Sequence, residues 1–186
     1  MQRAAPQVRR LFFALQPDDV IAARLIDAAR VAKARGLFSN AGRPAATLHM
    51  TVHFLGTHSE YPEALVRDAL AAAATFRFAP FEFLLDRVDT FDGSKPPCVL
   101  RCTPRTETSL RKFHVALVDA LSATSLRAHL ERREFEPHVT IAYAVRTAET
   151  PLPIDPIEWR VREFVLLESL VGRSIHNRLG VWPLVG

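Results

Sequence analysis

The sequence predicts an α+β protein with antiparallel sheets and with its helices on the outside. Strand-like and amphipathic helical segments are interspersed along the whole chain, and short turns join most of them. The 186 residues contain no Gly-rich phosphate loop or dinucleotide fingerprint of the kind found in doubly wound parallel sheets. Since 48% of the residues are hydrophobic, the chain can form one large domain or two small lobes around a buried core.

The first two predicted elements are a strand and a helix. Val8–Leu15 is a short apolar run that ends at the turn Gln16–Asp19, whose acidic residues suit a helix N-terminus. Apolar residues then recur at helical spacing until Gly36 ends the pattern.

The next pair repeats this order. Arg43-Pro44 begins an extended stretch, and His49–Gly56 is predicted to be a strand closed by its glycine. Thr57 and Ser59 are candidate caps for an alanine-rich second helix that reaches about Thr75.

A hairpin and a third helix follow. Phe76–Val88 and Pro97–Thr103 alternate in a strand-like way on either side of the turn at Asp92–Ser94. Pro104 and Thr106 introduce a helix in which the apolar residues up to Leu121 keep helical spacing.

The last third of the chain is mostly strand. Leu126–Arg133 is predicted to be a shorter helix or a turn, and Phe135–Val145 to be a strand. Two further strands are predicted at Trp159–Leu170 and at about Ser174–Leu184.

Composition excludes several classes of protein. With 7 Gly, 2 Cys and 24% charged residues, collagen-like, disulfide-stapled and disordered chains are all excluded. Cys98 and Cys102 lie roughly 13 Å apart along a predicted strand, beyond disulfide reach and without the tight Cys-x-x-Cys turn of a zinc site. We therefore expect reduced thiols, no metal or other cofactor, and a cytoplasmic protein with neither a signal peptide nor a membrane span.

The basic residues are nearly all arginine. Of 24 Lys and Arg residues, only Lys33, Lys95 and Lys112 are lysine. Arginine matches phosphate oxygens with two parallel donors, although codon bias explains such an excess at least as well. The net charge of +4 is small for a protein that wraps nucleic acid, so a substrate-sized phosphate partner is the better prediction. Arg127, Arg132 and Arg133 could attract RNA phosphates, but a solvated basic face is the commoner explanation.

The most informative feature is a short motif that occurs twice in the chain. His49-Met50-Thr51-Val52-His53-Phe54 and His138-Val139-Thr140-Ile141-Ala142-Tyr143 share the order His, apolar, Thr, aliphatic, variable, aromatic. Because side chains alternate along a strand, each segment presents an imidazole and a hydroxyl on one face and its aliphatic residues on the other. If the two halves of the chain pack around an approximate two-fold axis, two histidines and two threonines meet in one cleft.

Such a cluster has a chemical use. One neutral imidazole can take a proton from water while the other, protonated, gives a proton to a leaving oxygen. The threonine hydroxyls can donate to the non-bridging oxygens of a phosphate. His49, Thr51, His138 and Thr140 are therefore the candidate catalytic residues.

The sequence around these motifs resembles the 2H phosphoesterase superfamily, and within it the RNA 2′,3′-cyclic phosphodiesterases, also called 2′-5′ RNA ligases. The resemblance rests on five segments that span nearly the whole chain: Arg10–Leu15, Leu48–Gly56, Phe135–Ala142, Phe164–Ser169 and Leu179–Leu184.

The resemblance implies a fold and an activity. It implies a single domain over residues 1–186, made of two intertwined, pseudo-symmetric lobes that face each other across a central cleft. It also implies metal-independent hydrolysis of a 2′,3′-cyclic phosphate to a 2′-phosphate, together with a weak, reversible 2′-5′ RNA ligation. The expected substrates are RNA with cyclic phosphate ends or small cyclic nucleotides, handled by a monomer without an obligate protein partner.

The same resemblance suggests roles for the histidines and reveals one departure. It favours His138 as the base and His49 as the acid, although the chemistry alone allows the reverse. Relatives commonly carry an arginine five residues after the second histidine, where this chain has Tyr143. Arg146, three residues further on, is the candidate replacement.

Three more residues are candidates for substrate binding. Phe12 and Phe13 alternate faces, so one of them is expected to face the cleft and stack on a base while the other enters the core. His53 lies two residues beyond Thr51 and fits either the cleft rim or an exposed strand end. The other four histidines, His58, His114, His129 and His176, have no partner pattern and are assigned to the surface or to helices.

Two alternative functions remain open from the sequence. The chain could be an RNA-end or nucleotide-binding module with little or no turnover, for which the arginine missing at Tyr143 is the only support. It could also be a cyclic phosphodiesterase for ADP-ribose cyclic phosphate or for 2′-5′ oligonucleotides, because the motifs recognise the phosphate and not its substituent.

Overall fold

The structure of the protein is a computed structural model that describes residues 7–130 and 134–186. The strands are β1 (Arg9–Leu15), β2 (Met50–His58), β3 (Phe81–Thr90), β4 (Pro97–Cys102), β5 (His138–Tyr143), β6 (Leu152–Val161), β7 (Glu163–Leu170) and β8 (Ile175–Pro183). The helices are α1 (Asp19–Ala34), α2 (Glu63–Thr75) and α3 (Glu107–Ser122), with short 3-10 helices at Ala45–Thr47 and Ser125–His129.

The strands pair antiparallel in the order β6-β3-β4-β5-β2-β1-β7-β8. Two four-stranded halves can be distinguished, and we call β3, β4, β5 and β6 the central half and β1, β2, β7 and β8 the terminal half. Between them, β2 pairs with β5 through Met50 and Val139. The predicted α+β class with antiparallel sheets is confirmed.

The helices cover one face of the strands. α1 packs on β5 and β6, α2 packs on β8, and α3 packs on β3 and β2. Phe13 and Leu11 of β1 point into the main core that the helices share. Phe12 and Ala14 point to the opposite face, where they form a small second cluster with two residues of β7. That second face carries the candidate site.

Two predicted boundaries were wrong. Thr57 and Ser59 do not cap a helix, because β1 pairs with β2 as far as His58 and α2 begins only after Pro62. The predicted strand Trp159–Leu170 is two strands, since β6 pairs with β3 whereas β7 pairs with β1.

Helix α1 shows how the local sequence sets an element boundary. The Asp18 side chain accepts a hydrogen bond from the backbone N–H of Ile21 at 2.8 Å, which satisfies one free donor of the first turn. Gly36, with a φ of 77°, ends the helix in a conformation that other residues adopt at a cost.

Of the arginines near the second motif, Arg127 is exposed on the 3-10 helix, whereas Arg132 and Arg133 lie outside the described residues. Within residues 7–130 and 134–186, none of the helices is long and apolar enough to cross a membrane.

Candidate active site

The junction between the two halves brings the two His-x-Thr motifs together. Met50 and Val139 are paired across it, and both are fully buried on the core side. Because the strands run antiparallel, the flanking residues follow crosswise, with His49 on the side of Thr140 and Thr51 on the side of His138. Side-chain alternation then turns all four toward the face that is free of helices.

The two histidines are held in the same way. Nδ1 of His49 lies 2.8 Å from the carbonyl oxygen of Thr47, and Nδ1 of His138 lies 2.7 Å from that of Glu136. A carbonyl oxygen only accepts, so Nδ1 must be the donor in both rings. The hydrogen bond therefore leaves Nε2 of each imidazole as the atom that can exchange a proton with a substrate.

Each imidazole also contacts a phenylalanine. The Phe12 ring stacks on His49 with the centroids 4.9 Å apart, and the Phe91 ring meets His138 edge-on at 4.8 Å. These contacts restrict ring rotation and exclude water from one side of each histidine.

Two adjoining cavities flank the junction. The larger, of about 500 Å³, contains His49 and Thr140, and the smaller, of about 340 Å³, contains His138. Thr51 and Phe54 line both cavities and form the boundary between them. A still larger cavity of about 760 Å³ lies between the start of α1 and β6 and contains none of these residues.

The environment of His49 disfavours its protonation. Burial lowers the pKa of His49 to about 4, against the opposing effect of the hydrogen bond to Thr47. The positive charges of His176, Arg43 and His138 lower the pKa further. The ring is therefore neutral at pH 7 in the free protein.

His138 differs in its charged neighbours. Burial also lowers the pKa of His138, but the hydrogen bond to Glu136 and the carboxylate of that residue raise it, while Arg101 lowers it. The two histidines thus share a backbone geometry and differ in the charges around them.

Most of the residues predicted to bind substrate are near this junction. Phe12 and Tyr143 line the larger cavity and His53 lines the smaller one. Phe13 belongs to the main core with no exposure, so the alternation expected for the two phenylalanines is observed. Arg146 is exposed beyond the end of β5 and lines neither cavity.

His176 was assigned wrongly to the surface. Its ring centroid lies 4.8 Å from that of His49, it lines the larger cavity, and burial lowers its pKa to about 4. The motif pattern could not reveal it, because β8 reaches the site only through its pairing with β7.

Three further side chains at the site were missed. Arg43 lines the larger cavity, Phe91 contacts His138, and Arg101 pairs with His138 in the register of β4 and β5. His114, which was assigned to the surface or to a helix, does lie in α3, where it stacks on Phe135 at 4.3 Å and lines the smaller cavity.

The cysteines of β4 belong to the main core and not to the site. Cys98 and Cys102 are both buried and free, and burial raises the pKa of each thiol to about 12. Across residues 7–130 and 134–186, no group of three or more His, Cys, Asp or Glu side chains is arranged to hold a metal ion.

The fold and the paired histidines define a phosphoesterase of the 2H class, and sequence comparison agrees. The profile of the 2′-5′ RNA ligase superfamily matches residues 17–173. The chain belongs to that superfamily.

Individual relatives are similar at modest identity. An RNA 2′,3′-cyclic phosphodiesterase of Geobacillus stearothermophilus is 29% identical over an alignment of 147 residues, and the match covers 74% of this chain and 46% of the relative. The chain thus matches about half the length of that curated relative.

Solved structures cover more of the chain. E. coli LigT complexed with 3′-AMP has a TM-score of 0.73 and 25% identity over 97% of this chain and all of that one. E. coli LigT complexed with NADP+ has a TM-score of 0.68 and 27% identity, covering 96% and 99% of the two chains.

Proposed function

We propose that this protein hydrolyses the 2′,3′-cyclic phosphate of RNA ends or of nucleosides to a 2′-phosphate without a metal ion. The observation that carries the proposal is the crosswise cluster of two histidines and two threonines at the junction of β2 and β5. Both rings donate Nδ1–H to the backbone and leave Nε2 for proton exchange. Membership of the superfamily and the name of the Geobacillus relative support the same reaction.

The reaction needs one proton acceptor and one proton donor. In the proposed direction, Nε2 of His138 takes a proton from water as the water oxygen attacks phosphorus. The bond between phosphorus and O3′ breaks, and Nε2 of His49 gives its proton to the departing oxygen. The hydroxyls of Thr51 and Thr140 donate hydrogen bonds to the non-bridging oxygens, where negative charge accumulates.

The low pKa of His49 fits this scheme only with substrate bound. In the free protein, burial and the nearby positive charges keep the ring neutral. A phosphate anion in the cleft supplies a negative charge that raises the pKa of the ring and allows protonation. The same steps with a 5′-hydroxyl in place of water, in which the bond between phosphorus and O3′ breaks as a bond to O5′ forms, would give the weak 2′-5′ ligation, and their reversal would cleave the 2′-5′ linkage.

The proposed function includes a single domain over the whole chain, which acts as a monomer in the cytoplasm. The single domain is supported by α1, which precedes β2 in the chain and packs on β5 and β6 of the central half. The two halves are therefore packed together by elements from both.

The decisive experiment is hydrolysis of 2′,3′-cyclic nucleotides in the presence of a chelator, followed by phosphorus NMR. We expect a 2′-monoester as the product, with turnover unaffected by the chelator. Tight binding of the cyclic nucleotide without any product would favour the binding module instead. Conversion of ADP-ribose cyclic phosphate or of 2′-5′ oligonucleotides, but not of cyclic nucleotides, would support the same reaction type with a different substrate.

A further inference from the structure

We infer that Arg43 binds the phosphate group in the cleft and supplies the fixed positive charge that the strands carrying the motifs lack. The inference deepens the proposed function, since it concerns the same site. It rests on the position of the side chain, on the loop that holds it and on the arrangement of the other arginines.

Arg43 lies at the histidine cluster although it is six residues from His49 and distant in sequence from Thr140. It lines the larger cavity together with His49 and Thr140. Its charge acts on two rings there, because it contributes to the lowered pKa of His49 and of His176. A guanidinium in this position is close enough to share a ligand with the histidines.

Hydrogen bonds between the loop before β2 and β5 fix the position of Arg43. The backbone N–H of Arg43 donates to the carbonyl of Ile141 at 2.7 Å. The side-chain amide of Asn40 donates to the carbonyl of Tyr143 at 2.8 Å, while its oxygen accepts the N–H of Gly42 at 2.9 Å. Arg43 is thereby held beside the strand segment that follows Thr140.

Gly42 makes this close approach possible. Its φ is 76°, and a Cβ at this position would lie 3.2 Å from the carbonyl oxygen of Ile141. The same loop continues into Thr47, whose carbonyl accepts the hydrogen bond from His49. One loop therefore orients both the guanidinium and the imidazole.

The side chain of Arg43 lacks a protein partner within the described part of the chain. It is half-buried, yet it takes part in no salt bridge or side-chain hydrogen bond with residues 7–130 or 134–186. A half-buried guanidinium that faces hydroxyls and imidazoles, with no carboxylate opposite, suits an anionic ligand with paired oxygens.

The other arginines near the motifs are less suited to this role. Arg101 lies beside His138, but its guanidinium is 3.5 Å from the Asp89 carboxylate and lies over the Phe91 ring. Arg146 is exposed outside both cavities. Arg10 also lines the larger cavity, but its side chain is exposed.

The test is a titration of the full chain with inorganic phosphate, monitored by calorimetry at pH 7.5. The variants are Arg43→Gln, Arg43→Lys and, as a matched control outside both cavities, Arg146→Gln. We expect Arg43→Gln to weaken phosphate binding by about 10-fold or more, since hydrogen bonds to charged groups are lost. Arg43→Lys should lie between it and the wild type because the charge remains without the paired donors.

Two results would overturn the inference. One is wild-type phosphate affinity in Arg43→Gln, and the other is an equal loss in Arg146→Gln, which would indicate a general effect of surface charge. Circular dichroism establishes that each variant is folded, and if Arg43→Gln does not fold, wild-type affinity in Arg43→Lys counts against the inference.

A second readout separates ligand binding from structural support. In histidine NMR titrations without phosphate, Arg43→Gln should raise the pKa of His49 and of His176, because a nearby positive charge is removed. Unchanged titration of both rings would place the guanidinium elsewhere. Neither experiment depends on turnover, so a failure of cyclic nucleotide hydrolysis would refute the proposed function and leave the role of Arg43 to be decided by the phosphate titration.

Discussion

Met50 pairs with Val139 at the point where β2 meets β5, and both side chains are fully buried. The polar residues of the site are the immediate neighbours of this apolar pair on both strands. Packing at the junction and placement of the histidines are thus two aspects of the same contact.

Met50→Ala should therefore reduce activity more than a substitution of similar cost to stability elsewhere in the core. We expect Met50→Ala to lower the free energy of unfolding by about 2–5 kcal/mol, the usual cost of a large-to-small change in a core. Leu121→Ala, in α3 and equally buried, is the control for a lost core contact away from the junction. With both proteins fully folded at the assay temperature, Met50→Ala should lose more turnover of a cyclic nucleotide. Equal losses in the two variants would show that the junction has no special role.

Removal of either motif histidine should abolish proton transfer without unfolding the protein. We expect His49→Ala and His138→Ala each to reduce turnover of a 2′,3′-cyclic nucleotide by about 10²–10⁴-fold, the usual contribution of a general acid or base. His129→Ala is a suitable control because His129 is exposed on the 3-10 helix. Thermal unfolding should be cooperative in all three. Full activity in either motif variant would refute the mechanism.

Stability should fall as the pH drops from 6.5 toward 4. The pKa values of His49, His53 and His176 are lowered from 6.5 to about 4, mainly by burial. Above pH 6.5 these rings are neutral in both states, whereas below it the unfolded chain binds protons that the folded chain does not. A buried ring such as His49 then contributes a loss of up to ~1.4 kcal/mol per pH unit, the partly exposed His176 contributes less because solvent screens it, and the loss ends below pH 4.

Urea unfolding at a series of pH values measures this dependence. The slope of unfolding free energy against pH between 6.5 and 4 should be smaller in His53→Asn than in the wild type. An unchanged slope in the His53 variant would mean that this ring titrates alike in the folded and unfolded states.

The two glycines Gly36 and Gly42 offer a matched comparison for the loop that holds Arg43. Their φ angles are 77° and 76°, so alanine should cost about 1–2 kcal/mol of backbone strain at either position. A Cβ at Gly36 would have no atom within 4 Å, whereas a Cβ at Gly42 would lie 3.2 Å from the carbonyl oxygen of Ile141. We expect similar losses of stability from strain, an added loss in Gly42→Ala, and reduced phosphate binding and turnover only in Gly42→Ala. The same assays on both variants test this, and a reduction in Gly36→Ala as well would contradict it.

The sequence alone was sufficient to predict the centre of the site, because strand alternation is local. Whether His49 and Thr51 share a face depends only on their spacing, and the same is true of His138 and Thr140. Most of the strands were recognisable for the same reason, apart from their ends and from β6 and β7, of which the end of one and the whole of the other were predicted as a single strand.

Features that depend on pairing between distant segments were not predictable in this way. His176 reaches the cluster because β8 pairs with β7 and β7 pairs with β1. Arg43 reaches it because its loop is bonded to β5, about a hundred residues away in the chain. The break at Arg162 was missed because Trp159–Leu170 contains no glycine or proline to mark a turn, and the different partners of β6 and β7 are what separate the two strands.

The strand order has a consequence for how the protein is made. The four strands of the central half are consecutive in the chain, whereas the terminal half combines the first two strands with the last two. During synthesis, β1 and β2 can pair only with each other and, through Met50 and Val139, with β5 until β7 emerges, and a two-stranded ribbon is marginally stable. The half of the sheet that contains His138 can therefore have all four of its strands while the half next to His49 still lacks β7 and β8. We therefore expect a chain that ends before β7 to lack the complete proposed site.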